Sequence, residues 1–272
     1  MPPPIPQEVL DEIIDIIAGS LHVYIFEGHV SIRDGVLRDC SLVARAWTCR
    51  SQKHLFAYVS LMPGNIDSWC KMNAQNSGSL TRHVRRLVVE QWDRWDIPKF
   101  EPSTMEVARP YLSFPNLEVL TLSWWNNLGT FSLPRTFGHY SIPPLRSLTI
   151  LGSTSNENDL LELVALFPSV DELVIDRAHV TDERTPKTFS FPDCIRWRTL
   201  RILPVDGSMS GVLDVIAGLH LQCQVLDISY NMLEDPGPIT RLIRACSTTL
   251  KSMRLEQTNS GNPVLSPYTR PR

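Results

Sequence analysis

The chain has little net charge. Its 26 Lys and Arg against 29 Asp and Glu give −3 over 272 residues, so no overall positive field points to nucleic acid as a partner. Its six cysteines are Cys40, Cys49, Cys70, Cys194, Cys223 and Cys246. None forms a C-x-x-C pair, and no His stands at zinc spacing beside them. No apolar run approaches the length that spans a bilayer. The first residues, MPPPIPQE, lack a basic stretch followed by an apolar core, which excludes a secretory signal. No Asn-x-Ser/Thr acceptor occurs. Together these absences predict a soluble intracellular protein with reduced thiols, cytoplasmic or nuclear, with no membrane partner.

Catalytic patterns are also missing. Gly207-Ser208-Met209-Ser210-Gly211 has Met where a hydrolase elbow needs its nucleophile. There is no phosphate loop and no dinucleotide fingerprint. The histidines at 22, 29, 54, 83, 139, 179 and 220 are scattered, with no H-E-x-x-H. The reading is therefore not an enzyme, with no cofactor and no metal. The basic runs Arg82-His83-Val84-Arg85-Arg86 and Arg196-Trp197-Arg198-Thr199-Leu200-Arg201 are short and have acids nearby, so a solvated face accounts for them.

What the chain does have is 43% hydrophobic residues, 21 prolines and 13 glycines. That composition suits many short elements around a core. Near the N-terminus, PIPQEVLDEIIDII reads as a short acidic helix. At 100° per residue, Val9, Leu10, Ile13, Ile14, Ile16 and Ile17 occupy an arc of about 160°, and Glu8, Asp11, Glu12 and Asp15 fill the opposite side. Pro6 suits the first helical position, where its missing N–H has no partner to lose. Glu8, Asp11 and Glu12 lie toward the positive end of the helix dipole. So short a helix needs packing to hold it. After a loop at Ser20–Gly35 containing the apolar run His22-Val23-Tyr24-Ile25-Phe26, a second helical block runs from Val36 to Trp47. Ser51–Leu61 then reads as a short helix passing into a strand.

From Val84 onward the pattern apolar-x-x-apolar-x-apolar recurs seven times. It begins at Val84, Leu117, Leu145, Val170, Leu200, Cys223 and Leu250, at spacings of 33, 28, 25, 30, 23 and 27 residues. Helical patterns at Glu157–Phe167, Met209–Leu219 and Pro238–Cys246 lie between copies. Pro115, Pro144 and Pro168 precede three of the strands and set an extended approach. Period and pattern fit leucine-rich repeats. The expected architecture is α/β, an irregular solenoid with a parallel concave sheet and outer helices. Alternation along each strand puts Glu90, Ser123, Leu151, Asp176, Asp206, Ser229 and Glu256 in one concave row for a protein target. Val88, Thr121, Thr149, Val174, Pro204, Asp227 and Arg254 form the row beside it. Acids in the first row suit a basic or polar partner, or are ordinary solvated turn residues. Trp92, Trp95, Trp124 and Trp125 either form a binding patch or seal the long early repeats. The tail, 257–272, has no periodicity and is expected to be loose. With no capping repeat evident, a shortened chain is expected.

The residues Ile5-Pro6-Gln7-Glu8-Val9-Leu10, followed by Cys40-Ser41-Leu42-Val43-Ala44-Arg45-Ala46-Trp47 and His54-Leu55-Phe56, resemble an F-box. They are especially similar to the F-box-like proteins with leucine-rich repeats of mushroom-forming (basidiomycete) fungi. The resemblance covers about residues 4–61, with Ile5-Pro6 where the family has Leu-Pro and a longer loop after the first helix. It implies a three-helix module over 1–61, a connector over 62–79, repeats over 80–256 and a loose tail. It further implies docking on the Skp-type adaptor, and through it the cullin, of an SCF ubiquitin ligase. By position, Pro6, Glu8, Val9, Ile13, Cys40, Val43 and Trp47 would face the adaptor; alternatively they are core. The expected function is that of a substrate receptor, acting by proximity. The competing reading is a repeat scaffold whose N-terminal helices only cap the solenoid. Coverage of Val9, Ile13 and Val43 by the chain's own repeats would favour the scaffold.

Overall fold

A computed structural model of the chain describes residues 5–20, 23–26, 29–32, 35–43, 45–62, 64–76, 78–90, 114–123, 144–152, 154–155, 157–180, 195–203, 209–231 and 236–258. Three helices open it: α1 (Gln7–Ser20), α2 (Gly35–Val43) and α3 (Arg45–Leu55). The Pro6 carbonyl accepts the N–H groups of Val9 and Leu10, at 3.1 and 3.3 Å, so the helix starts at the proline as the sequence predicts. Within the expected loop, β1 (Val23–Phe26) and β2 (His29–Ile32) pair antiparallel, from Val23 opposite Ile32 to Phe26 opposite His29. The expected single helix over Val36–Trp47 is two helices. One of the carbonyls left open at the end of α2, that of Ser41, accepts the Thr48 hydroxyl from α3 at 2.9 Å, which satisfies a group that a helix end otherwise exposes.

The rest of the described chain builds one open, all-parallel sheet of eight strands. In spatial order these are β3 (Tyr58–Leu61), β4 (Arg86–Glu90), β5 (Val119–Ser123), β6 (Ser147–Leu151), β8 (Ser169–Asp176), β10 (Arg196–Ile202), β11 (Val225–Asn231) and β12 (Ser252–Thr258). Two short strands, β7 (Thr154–Ser155) and β9 (His179–Val180), pair parallel beside it. The crossovers carry α4 (Ile66–Gln75), a 3₁₀ turn at Ser79–His83, α5 (Glu157–Ala165), α6 (Ser210–Ala217) and α7 (Gly237–Cys246). Parallel strands need such crossovers, and successive strands lie side by side, as in a solenoid. Because β3 pairs with β4, the sheet starts at Tyr58, ahead of the first copy at Val84. Ile66, Trp69 and Cys70 of α4 are buried in the same core, so the stretch 62–79 contributes packing as well as connection.

Two rows of apolar side chains carry the stack. One is Val59, Leu87, Leu120, Leu148, Leu173, Leu200, Leu226 and Met253; the other is Leu61, Val89, Leu122, Ile150, Ile175, Ile202, Ile228 and Leu255. All but the last member of each row are buried. Leu160, Leu161, Val164, Val212, Ile216 and Leu242 cover them from the helix side.

The register corrects the fifth repeat. Trp197 pairs with Val170 and Leu200 with Leu173, so the repeat begins at Trp197, three residues before Leu200. Two overlapping apolar triads compete there. The observed one buries Trp197 completely and lets its indole N–H bond the Phe167 carbonyl at 3.0 Å. Arg201, opposite Val174, therefore occupies the row position expected for Pro204. With this correction the spacings are 33, 28, 25, 27, 26 and 27 residues.

Candidate docking surface

Leu10 and Ile14 of α1, and Leu37 and Cys40 of α2, are buried but lie outside the continuous core of the sheet. The three helices thus hold a small core of their own. Polar clamps reinforce it. The Arg50 guanidinium makes a two-toothed pair with the Asp15 carboxylate, with Nε at 2.6 Å, and His54 Nε2 stands 2.7 Å from the same carboxylate. Arg50's hydrogen bond, and then that of His54, hold the Asp15 carboxyl below its ordinary range. Gln7 Nε2 donates to the Ala46 carbonyl at 2.9 Å. These contacts tie α1 to α3.

The apolar arc of α1 is split by this packing. Its side at roughly 80–140°, Leu10 and Ile14, with Ile17 half-buried, turns inward. Its side at roughly 340–40°, Ile16, Val9 and Ile13, is open to solvent. Val9 is 44% and Ile13 39% exposed, and on α2 Val43 is 67% and Leu42 83% exposed. Ile5 and Val36 are exposed as well. Isolated surface apolar residues need no explanation. A stripe at i, i+4 and i+7 on one helix is an unpartnered face. Ile16 was legible on the helical wheel beside Val9. Leu42 was hidden, because the unbroken helix expected over Val36–Trp47 obscured the end of α2.

The residues expected at the adaptor sort into two groups. Pro6, Glu8, Val9, Ile13 and Val43 are exposed; Trp47 is half-buried and Cys40 is buried. Cys40 packs inside the module rather than on its surface.

The expected target row is assembled by the ladder. Glu90, Ser123, Leu151 and Asp176 are successive partners, and Ser229 pairs with Glu256. Between them stands Leu203, whose N–H bonds the Ile175 carbonyl at 2.9 Å. Glu90, Ser123, Leu151 and Ser229 are buried, Asp176 is half-buried and Glu256 is exposed. Asp206 lies outside the described residues, as do Trp92, Trp95, Trp124, Trp125 and the tail beyond Thr258. At the β3 end, Ser60 Oγ donates to Glu90 Oε1 at 3.1 Å. The Tyr58 hydroxyl is buried without a partner among the described residues. Burial, and then the Glu90 charge, raise its pKa. Toward β12 the neighbouring row turns charged, through Arg201, Asp227 and Arg254.

The N-terminal edge of the strands forms a groove of about 620 Å³ lined by Arg146, Asp171, Arg196, Arg198, Gln222 and Gln224 among others. Arg85 pairs with Glu118 across adjacent strands, and Arg201 with Glu172 at 3.4 Å. The basic runs therefore meet acids from neighbouring repeats. Among the described residues no group of three or more His, Cys, Asp and Glu converges to hold a metal, and no helix is long and apolar enough to cross a membrane. No family model matches the chain, and no curated protein or solved structure matches it.

Proposed function

We propose that the chain is the substrate-receptor subunit of an SCF-type ubiquitin ligase. In this reading α1, α2 and α3 are an F-box module that docks on a Skp-type adaptor and through it on a cullin. The stacked strands are an irregular leucine-rich-repeat arc that holds a target protein. No residue performs covalent chemistry, and catalysis by the assembly rests on holding the target near the ubiquitin-carrying enzyme. One observation carries the proposal: Val9, Ile13 and Val43 stay open although the module has a core of its own. A cap serving only to close the solenoid would spend its apolar residues on the repeats. The contact set is then Pro6, Glu8, Val9, Ile13 and Val43, extended by Ile16 and Leu42.

The test is binding of the full chain to a purified fungal Skp-type adaptor by calorimetry. The comparison is wild type against Ile13→Ala with Val43→Ala, folding being checked by circular dichroism. A dissociation constant of roughly micromolar or tighter is expected. The double variant is expected to weaken it by about tenfold or more, since apolar anchors in an interface commonly contribute over 1 kcal/mol each. A folded wild type that does not bind the adaptor would leave the non-ligase scaffold as the reading.

A further inference from the structure

The two edges of the sheet are finished differently. At β3, Val59 and Leu61 are 8% and 2% exposed and share a cluster with Ile66 and Trp69 of α4. At β12, Met253 and Leu255 stand in the same two core rows, yet are 48% and 43% exposed. Every residue from Lys251 to Gln257 is exposed. The strand contains no proline, bulge or inward charge, and its two charged residues, Arg254 and Glu256, are of opposite sign, so they do not repel a second copy as a run of like charges would.

The backbone of β12 has a defined polarity. Ser252 donates its N–H to the Gln224 carbonyl at 3.0 Å. In a parallel ladder the N–H and C=O of one residue point to the same side and alternate along the strand. Ser252, Arg254 and Glu256 therefore face β11, while Met253, Leu255 and Gln257 offer their backbone groups to the open edge.

Side chains add a pattern. Arg254 and Glu256 lie on the sheet face opposite the core rows, joined by an ion pair of 2.9 Å. A second copy related by a two-fold axis normal to the sheet must pair antiparallel. Centred on Leu255, that pairing sets Leu255 against Leu255 and Met253 against Gln257, so all outward backbone groups find partners. It also sets Arg254 opposite the second copy's Glu256, twice, at the closely spaced positions without backbone bonds. Centring on Arg254 or Glu256 would place like charges face to face.

The geometry points to β12 as a homodimer edge, joining two eight-stranded sheets antiparallel about Leu255. The occupant is a second copy because the charge pattern of the strand is complementary to itself under that symmetry. The inference stands apart from the ligase reading, since it uses residues at the opposite edge of the sheet from the helical module.

The test uses sedimentation velocity on the full chain, with thermal unfolding to confirm that each variant folds. Wild type is expected to move from monomer, 30.9 kDa, toward dimer between roughly 1 and 200 µM, as suits a small interface. Arg254→Glu and Glu256→Arg each replace attraction by repulsion at both cross-pairs. Each is expected to weaken self-association by about tenfold. Mixed together, these two variants restore both attractive pairs, and a heterodimer is expected to form at wild-type strength. Leu255→Lys is expected to be monomeric. A wild type that stays monomeric throughout overturns the inference and assigns the edge to the chain's own tail or another protein. A dimer indifferent to the charge reversals, or single variants that do not pair with each other, also overturns it.

Discussion

Asp15 shows how much one residue can hold. Its carboxylate takes Arg50 and His54 from another helix, which hold its folded pKa well below the usual carboxylate range. A depressed carboxylate contributes stability above the unfolded pKa and loses it as pH falls toward the folded value. Asp15→Asn should therefore lower the melting temperature at neutral pH. The gap from wild type should close as pH is taken below about 4, which thermal unfolding at several pH values would read. Trp197 and Tyr58 make opposite cases. Trp197 satisfies its indole N–H within a filled core, so Trp197→Ala should cost about 3–5 kcal/mol in chemical denaturation. Tyr58 buries a hydroxyl with no partner among the described residues, so Tyr58→Phe should be neutral or stabilising, by up to about 1 kcal/mol. The cysteines differ too. Cys49 is exposed, whereas Cys223 and Cys246 are buried and free. The hydrogen bond from Cys246 to Cys223, with burial, pushes the Cys246 thiol up. Alkylation mapped by peptide mass spectrometry should label Cys49 in the native protein and Cys223 and Cys246 only after unfolding.

At the scale of the element, α1 buries one half of its apolar arc and leaves the other half open. Leu10→Ala or Ile14→Ala should destabilise the helical module by about 2–5 kcal/mol, because those side chains sit in its core. Val9→Ala or Ile16→Ala should shift stability by no more than about 0.5 kcal/mol; under the receptor function proposed above, the same changes weaken adaptor binding. Equal destabilisation by both pairs in urea titrations would contradict the split. The wheel made the arc visible, but not where it divides, since that depends on how α2 and α3 lie against it. In β10 the opposite ambiguity held. Leu200, Leu203 and Val205 match the repeat pattern as well as Trp197, Leu200 and Ile202 do. Periodicity cannot rank the two; the volume of Trp197 and the Phe167 carbonyl waiting for its N–H can.

At the scale of the molecule, each sheet strand pairs only with its immediate neighbours, so stability should add over neighbouring units as it does in a solenoid. Leu148 and Leu173 lie in mid-sheet with strands on both sides, while Met253 and Leu255 lie at an open edge. Hydrogen exchange should show strongest protection in β6 and β8 and weakest in β12. In the dimer proposed above, the difference shrinks as protein concentration rises. By the same logic β3, covered by Trp69 and Ile66 of α4, should be better protected than β12.

Seven of the sheet's eight strands and their order were legible in the amino-acid sequence; the place of β3 in the sheet and the register of β10 were not. The repeated apolar triads, the prolines ahead of them and the helical patterns between leave a stack of parallel strands as the arrangement that buries every triad. The wheel also showed that the apolar arc of α1 spans about 160°. Tertiary structure decided the rest. Which triad of two anchors β10, which half of the α1 arc is covered, that Glu90 and Ser123 are buried and that Met253 and Leu255 are not, all depend on contacts between residues far apart in the chain. Local periodicity records which side chains avoid water. It does not record which partner they avoid it with, because that is settled by competition among packings that the same pattern permits.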